Sequence, residues 1–218
     1  MRFTVNQRLL AIIAGAVLAV LITGLIGFFS SQKLSEELKY TDENIIRSLG
    51  ILSGIERDFL LIRVNALYHL SYDEHSRKAP HEATIRRNIQ EIQKRLTDYE
   101  QNLTINSRDR ELLQNDKRLF EIYLAALEKV LEKSNDRDKE AAVVVVESEW
   151  KPAGERLTAA FAEHSHYKER LVDEVVLRSM DSGRRGAWFV LVVAFFCIAL
   201  LVGVGYLFRR SFPPRQED

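Results

Sequence analysis

Hydrophobic residues follow two different arrangements along this chain. Residues 9–29 and 187–208 form two apolar blocks that carry no charged residue. A helix of about 20 such residues spans a hydrocarbon core of about 30 Å, so each block predicts a transmembrane helix. Between the blocks, apolar residues recur singly at alternating steps of three and four. The stretch "ATIRRNIQEIQKRLTDYEQNL" places Ile85, Ile89, Ile92, Leu96, Tyr99 and Leu103 in this way, the a/d pattern of a helix packed at a shallow angle, and its other faces are almost wholly polar. Pro80 is expected in its first turn, where a missing N–H costs nothing. An earlier helix, over about residues 31–72 and continuous with the first block, carries Leu38, Ile45, Leu52, Ile55, Phe59, Ile62 and Ala66. A third, over about residues 108–133, carries Leu112, Leu119, Tyr123, Ala126 and Val130, and Leu113, Phe120, Leu124, Leu127 and Leu131 widen its stripe. Asn106 or Ser107 supplies its N-cap. "KSNDRDK" ends it, and a fourth helix runs from about residue 138 into the second block, interrupted near Pro152 and loosened at "MDSGRRG". "VVVV" at residues 143–146 favours a strand by propensity, but an isolated strand has no partner here and the segment is read as helix.

These patterns predict an all-α fold. At 1.5 Å per residue the first helix is roughly 60 Å long and the next two roughly 35–40 Å, so an up-down four-helix bundle forms only in the half far from the membrane, above a two-helix stalk. The expected order is an N-terminal tail (1–8), transmembrane helix 1 (9–29), the helical domain (30–186), transmembrane helix 2 (187–208) and a second tail (209–218). The apolar run after Arg2 and Arg8 is too long for a signal peptide, and "FFSSQKL" offers no small-residue cleavage site. Arg2, Arg8, Arg209, Arg210 and Arg215 place both tails on the cytoplasmic side, although Arg184 and Arg185 flank the other end of the second block. Stripe residues Leu38, Ile45, Leu52 and Ile55 are expected to be left incompletely covered in a two-helix stalk, which calls for a homodimer.

The net charge is zero, from 31 basic and 31 acidic residues. Five basic and two acidic residues fall in the tails, leaving 26 and 29 between the blocks. A slightly acidic exterior does not suggest nucleic acid as a partner. The one cysteine, Cys197, lies in the second apolar block, so no internal disulfide forms.

No phosphate-cradling glycine motif, nucleophile elbow or paired metal motif occurs between the blocks. No catalytic residue, cofactor or metal is therefore expected. Glu163, His164 and His166 suggest a ligand set, but residues two apart on a helix point about 200° apart and cannot share one ion. His69, His75 and His81 surround the distal turn and read as solvated surface residues. "NLT" at Asn102 meets the glycosylation pattern, which arises often by chance. Arg63 stands out, an arginine within the otherwise apolar "FLLIRVNALYHL". Either its stem packs while its head reaches water, or its planar fork clamps a ligand carboxylate in a partly dry groove. Pro152 lies at the same level: Arg63 is about ten residues below the tip of its helix and Pro152 about fourteen below the start of its own, hence roughly 15 and 20 Å down. The proline frees a carbonyl near Ser148, or simply kinks the helix around the bundle.

The whole layout, with a short basic N-terminus, a span, four helices, a second span and "RRS", resembles the four-helix-bundle sensor region of methyl-accepting chemotaxis receptors. In the aspartate and serine receptors of that family the first sensor helix carries R-x-N-x-x-R-x-x-x-R, whose arginines grip the ligand. Here "RVNALYHLSY" matches at Arg63 and Asn65, whereas Tyr68 and Tyr72 replace the later arginines. "EWKPAGERL" is similar to the proline-containing segment at the ligand-binding end of the fourth helix: Pro152 matches, and Ala153 replaces the threonine expected in the aspartate receptor. The resemblance implies a small-molecule ligand site at Arg63, Asn65, Tyr68, Tyr72, Trp150, Pro152 and Ala153. Its ligand is expected to be a carboxylate less charged than aspartate, or aromatic. A periplasmic binding protein is the alternative partner. The resemblance further implies a bacterial inner-membrane receptor with a periplasmic sensor domain, not an enzyme. The family's HAMP linker and signalling hairpin do not follow "RRSFPPRQED", so the chain is either a fragment or a sensor that borrows an output partner. A histidine kinase or diguanylate cyclase could carry the same sensor. A membrane-anchored helical scaffold with no ligand is the rival reading.

Overall fold

The computed structural model describes residues 5–211; the side chains of residues 37 and 38 and of several positions in the apolar blocks lie outside the description. Among the described residues every regular element is helical. In chain order these are α1 (Val5–Tyr40), a π-helical turn (Thr41–Ile46), α2 (Arg47–Ser71), α3 (His75–Asn102), α4 (Ser107–Asn135), α5 (Lys139–Val145), a second π-helical turn (Val146–Trp150) and α6 (Lys151–Ser211). Internal contacts divide the chain into residues 40–174 and a second unit of residues 1–39 with 175–218.

The first unit is a helical bundle whose connections are only a few residues long, which makes successive helices antiparallel neighbours. Its core is the set of stripes read from the sequence. Ile45, Leu52, Ile55, Phe59, Ile62 and Ala66 are all buried, as are Ile85, Ile92, Leu96 and Tyr99 of α3 and Leu113, Phe120, Tyr123, Leu127 and Val130 of α4. Trp150, Ala153, Leu157, Ala160 and Phe161 close the fourth side. Caps define the ends. Asn106 accepts from the Asp109 N–H at 3.0 Å, and Asp138 accepts from the Ala141 N–H at 3.0 Å, each satisfying an orphan donor. The reversal between α4 and α5 uses Arg137 at φ 60°, a left-handed conformation uncommon outside glycine. At Gly54 the space a side chain would take is filled by α3: a Cβ there would lie 2.8 Å from Nη1 of Arg95, the flexible end of a side chain able to shift aside.

Several expectations are corrected. Helix α3 starts at His75, so Pro80 sits inside it rather than in its first turn. Near Pro152 the α-helix is interrupted only by a π-helical turn, through which the chain stays helical, and "MDSGRRG" remains helical within α6. The second π-helical turn, which ends just before Pro152, accounts for the continuity. A proline ring clashes with the carbonyl four residues back, and a wider turn with an extra residue relieves that clash without ending the helix. Ile45, Leu52 and Ile55 are covered within their own bundle, so they do not wait for a partner chain; the side chain of Leu38 lies outside those described.

Two helical stretches, Ile13–Ser71 and Lys139–Ala199, each include a segment long and apolar enough to cross a membrane, and neither segment is buried by the chain. Leu10, Val20, Phe195 and Phe196 are among the exposed apolar residues of the second unit. The basic tail residues Arg2 and Arg215 lie outside the described residues, as do the side chains of Arg8, Arg209 and Arg210.

Candidate functional site

Helix α2 buries Phe59, Ile62 and Ala66 at steps of three and four, and Arg63 lies one position off that stripe. It is therefore half-buried. Its stem packs and its guanidinium carbon stands 5.8 Å from the Phe59 ring centroid, a cation–π distance. Behind it lies an aromatic group drawn from three helices. Tyr123 of α4 meets Phe59 edge-on with centroids 4.8 Å apart, Phe161 of α6 stands 6.0 Å from Phe59, and Trp150 lies 5.9 Å from Tyr123. Gly154 lies against the same rings, where an added Cβ would sit at ordinary van der Waals distance, 3.5 Å from Tyr123 and 3.9 Å from Phe59. Ala153 is buried and Pro152 half-buried beside it.

Two polar atoms in this group make no well-formed hydrogen bond. The Tyr123 hydroxyl and the Trp150 indole N–H are buried without a partner in good geometry, and they lie close enough for the indole to act on the hydroxyl. A buried polar group without a partner costs about 1–3 kcal/mol. The Tyr123 hydroxyl is raised above its ordinary value by burial, an effect partly offset by Trp150 and by the charge of Arg63. Two neutral donors and one fixed cation are thus gathered around one aromatic group, groups of the kind that pair with an acceptor such as a carboxylate.

The other predicted residues lie elsewhere. Asn65 donates to the Leu61 carbonyl at 2.8 Å and contacts His81 Nδ1 through its side-chain oxygen at 2.9 Å. Tyr68 and Tyr72 both stack on His81, with centroids 5.1 and 5.7 Å away, and Arg77 sits over Tyr72 at 4.1 Å. The seven candidates therefore form two groups: Arg63 with Trp150, Pro152 and Ala153, and Asn65 with Tyr68 and Tyr72 around α3. Helical rotation is the reason for Asn65 and Tyr68, which lie about 200° and about 140° around α2 from Arg63, while Tyr72 follows the end of the helix in extended backbone. His81 is not a solvated surface residue but the centre of a stack, and His69 is fully buried. Tyr123 was legible in the sequence only as core.

The open hollow lined by Asp42, Glu43, Asn44, Arg47 and Asn102 lies where α3 turns into α4. The four buried atoms among the described residues that lack a hydrogen bond in good geometry, His69 Nε2, Asp116 Oδ1, Tyr123 Oη and Trp150 Nε1, all lie outside it. Among the described residues no three His, Cys, Asp or Glu side chains gather as a metal site.

Residues 2–182 match the four-helix bundle sensory module for signal transduction. No curated protein matches the chain, and neither does any solved structure.

Proposed function

The chain belongs to the family of four-helix bundle sensory modules of chemoreceptors, and from that premise we propose that it is the sensory region of a bacterial inner-membrane chemoreceptor whose bundle binds a small extracytoplasmic solute at the level of Arg63. The observation that carries the reading is the pair of buried donors, Tyr123 and Trp150, which interact with each other but make no hydrogen bond in good geometry, behind a half-buried arginine. A ligand carboxylate or carbonyl would satisfy them. One arginine in place of three favours a solute less charged than aspartate, and the His81 stack with Tyr68 and Tyr72 forms a separate aromatic surface. A solute-loaded binding protein is the second mode of engagement. Ligand signals by binding one helix arrangement better than another, and α6 would carry a shift of about 1–2 Å into its apolar half. The output module, whether chemotaxis hairpin, histidine kinase or diguanylate cyclase, belongs to a partner or a continuation. Screening the full chain in detergent by thermal shift against amino acids, organic acids and aromatic solutes tests this. A ligand at 100 times its Kd stabilises by about 2.7 kcal/mol. A screen in which neither solutes nor solute-loaded binding proteins shift unfolding supports the ligand-free scaffold instead.

The reading includes a homodimer in the membrane. On the outward face of α2, Leu60, Leu61, Val64, Leu67 and Tyr68 are exposed and recur at steps of three and four, a stripe suited to a second copy of the same helix. Burying one such side chain is worth about 1.5–3 kcal/mol. In a Cys197→Ala background, single cysteines at Leu60, Val64 and Leu67 should crosslink between chains, and a cysteine at Asn65 far less. The same variants should react with a membrane-impermeant thiol reagent added outside the inner membrane. Absence of crosslinking at all four positions opposes the dimer, and labelling only after membrane disruption opposes the orientation with both termini in the cytoplasm.

A further inference from the structure

At the other end of the bundle, four ionisable side chains and a tyrosine are buried together. Asp109 of α4 accepts from four donors: Tyr99 Oη at 2.8 Å and His164 Nε2 at 2.9 Å on one oxygen, Lys168 Nζ at 2.7 Å and the Ile105 N–H at 2.9 Å on the other. Such a carboxylate is ionised. Burial would raise it, but His164, Lys168 and the Ile105 amide hold it down to about 2. Tyr99 Oη also stands 2.9 Å from His164 Nε2, but with that hydroxyl donating to Asp109 the ionised carboxylate favours a proton on Nε2. The opposite ring nitrogen, Nδ1, stands 2.6 Å from Asp116 Oδ2, so one further proton lies between these two atoms. Asp109, Asp116, His164 and Lys168 are all fully buried. Asp109 and Lys168 cancel in charge, and His164 with Asp116 is neutral overall as long as that shared proton stays.

The other oxygen of Asp116, Oδ1, has no partner. Losing the shared proton would leave a carboxylate oxygen against an imidazole lone pair at the same short separation, in a site closed to water. A buried uncompensated charge is costly enough to open its surroundings. The remaining neighbours offer Asp116 no replacement donor. From α3 comes Tyr99, whose hydroxyl donates to Asp109 and stands 2.9 Å from His164 Nε2, on the far side of the ring from Asp116. On α6, Glu163 adds negative charge near Asp116 and is paired with Arg108. From α2 come the Ser48 hydroxyl, beside Tyr99, and Glu56, which accepts from Ser165.

We propose that the proton shared by His164 and Asp116 makes the packing of α6 on α4 depend on ambient pH, its release to solvent on the alkaline side loosening the helix that leads into the second apolar block. This is an input separate from solute binding at Arg63. The direction agrees with the surroundings: burial would lower His164, yet the bonds to Asp109 and Asp116 carry it above 6.5. A group raised on folding contributes stability that is complete below 6.5 and lost as pH rises through the folded value.

The test uses the full chain in detergent micelles with ¹⁵N-histidine. His164, identified by the signal missing in His164→Gln, should be an imidazolium at neutral pH and deprotonate above it. Amides of α4 and α6 around the cluster should lose protection in the same interval, by about tenfold per pH unit beyond the chemical rate. Asp116→Asn keeps the acceptor oxygen but removes the charge, and should move both changes to lower pH. A neutral His164 at pH 7, deprotonation without loss of protection, or an unshifted transition in a folded Asp116→Asn would each overturn the proposal. Should that variant not fold, the wild-type titration and exchange decide alone.

Discussion

Replacing Asp109 with alanine should destabilise the bundle by about 3–5 kcal/mol, the cost of breaking a buried ion pair from one side. The substitution removes the acceptor shared by Tyr99, His164, Lys168 and the Ile105 amide. It leaves Lys168 fully buried without its carboxylate, and burial already lowers that ammonium below its ordinary value. Asparagine should rescue little, because its amide would turn hydrogens toward donors. Glu149→Ala is the matched control. It breaks the half-exposed Lys129–Glu149 pair at 2.6 Å, where a loss of about 0–1 kcal/mol is expected. Urea unfolding of the detergent-solubilised chain, followed by circular dichroism, measures both. Equal, small losses would mean that the buried cluster does not hold the helices. The pH dependence has a definite sign: Asp109 is lowered to about 2, so its contribution is complete above about 4 and disappears as pH falls toward the folded value.

The stripes that build the bundle were legible because apolar residues at steps of three and four on otherwise polar helices have one physical solution, burial against one another. Ile85, Ile92, Leu96 and Tyr99 needed nothing else. The buried cluster was not read, although its signal lies in the same register. Asp109, Leu112, Asp116, Leu119 and Tyr123 advance by steps of three and four, and so do Leu157, Phe161, His164 and Lys168. Counting only apolar residues hides charges that continue a stripe. Such charges mark partners on facing helices, because an ionised group enters a core only when paired. His69 follows the same rule after Ile62 and Ala66, and meets Ser134 at 3.0 Å, with Lys78 donating to the same hydroxyl at 3.0 Å. Treating His69 and His81 as surface residues ignored the first signal and the neighbouring helix. The site was legible in part. Arg63 and the Pro152 segment could be placed at one level from helix lengths, whereas Tyr68 and Tyr72 were grouped with Arg63 by motif spacing, without regard to rotation around the helix. Tyr123 was invisible as a site residue because its hydroxyl's lack of a well-formed hydrogen bond depends on what three other helices fail to provide.

Arg63→Ala should weaken solute binding more than it weakens the fold. The guanidinium is half-buried and directed past Phe59, with its charge acting on Tyr123. Losing a charged partner in a desolvated site costs about 2–5 kcal/mol, against about 0–1 at an exposed surface. Partial exposure places Arg63 near the lower end of the first range, about 2 kcal/mol or roughly thirtyfold in Kd. The fold loses only the arginine's stem against Phe59. The decisive measurement takes the best solute from the thermal-shift screen and determines its affinity, together with unfolding in its absence, for the wild type and for Arg63→Ala. A loss of about thirtyfold in affinity with nearly unchanged unfolding is the result expected of a sensor that reads solute at Arg63; unchanged affinity with lowered stability would make Arg63 a packing residue and place the site elsewhere.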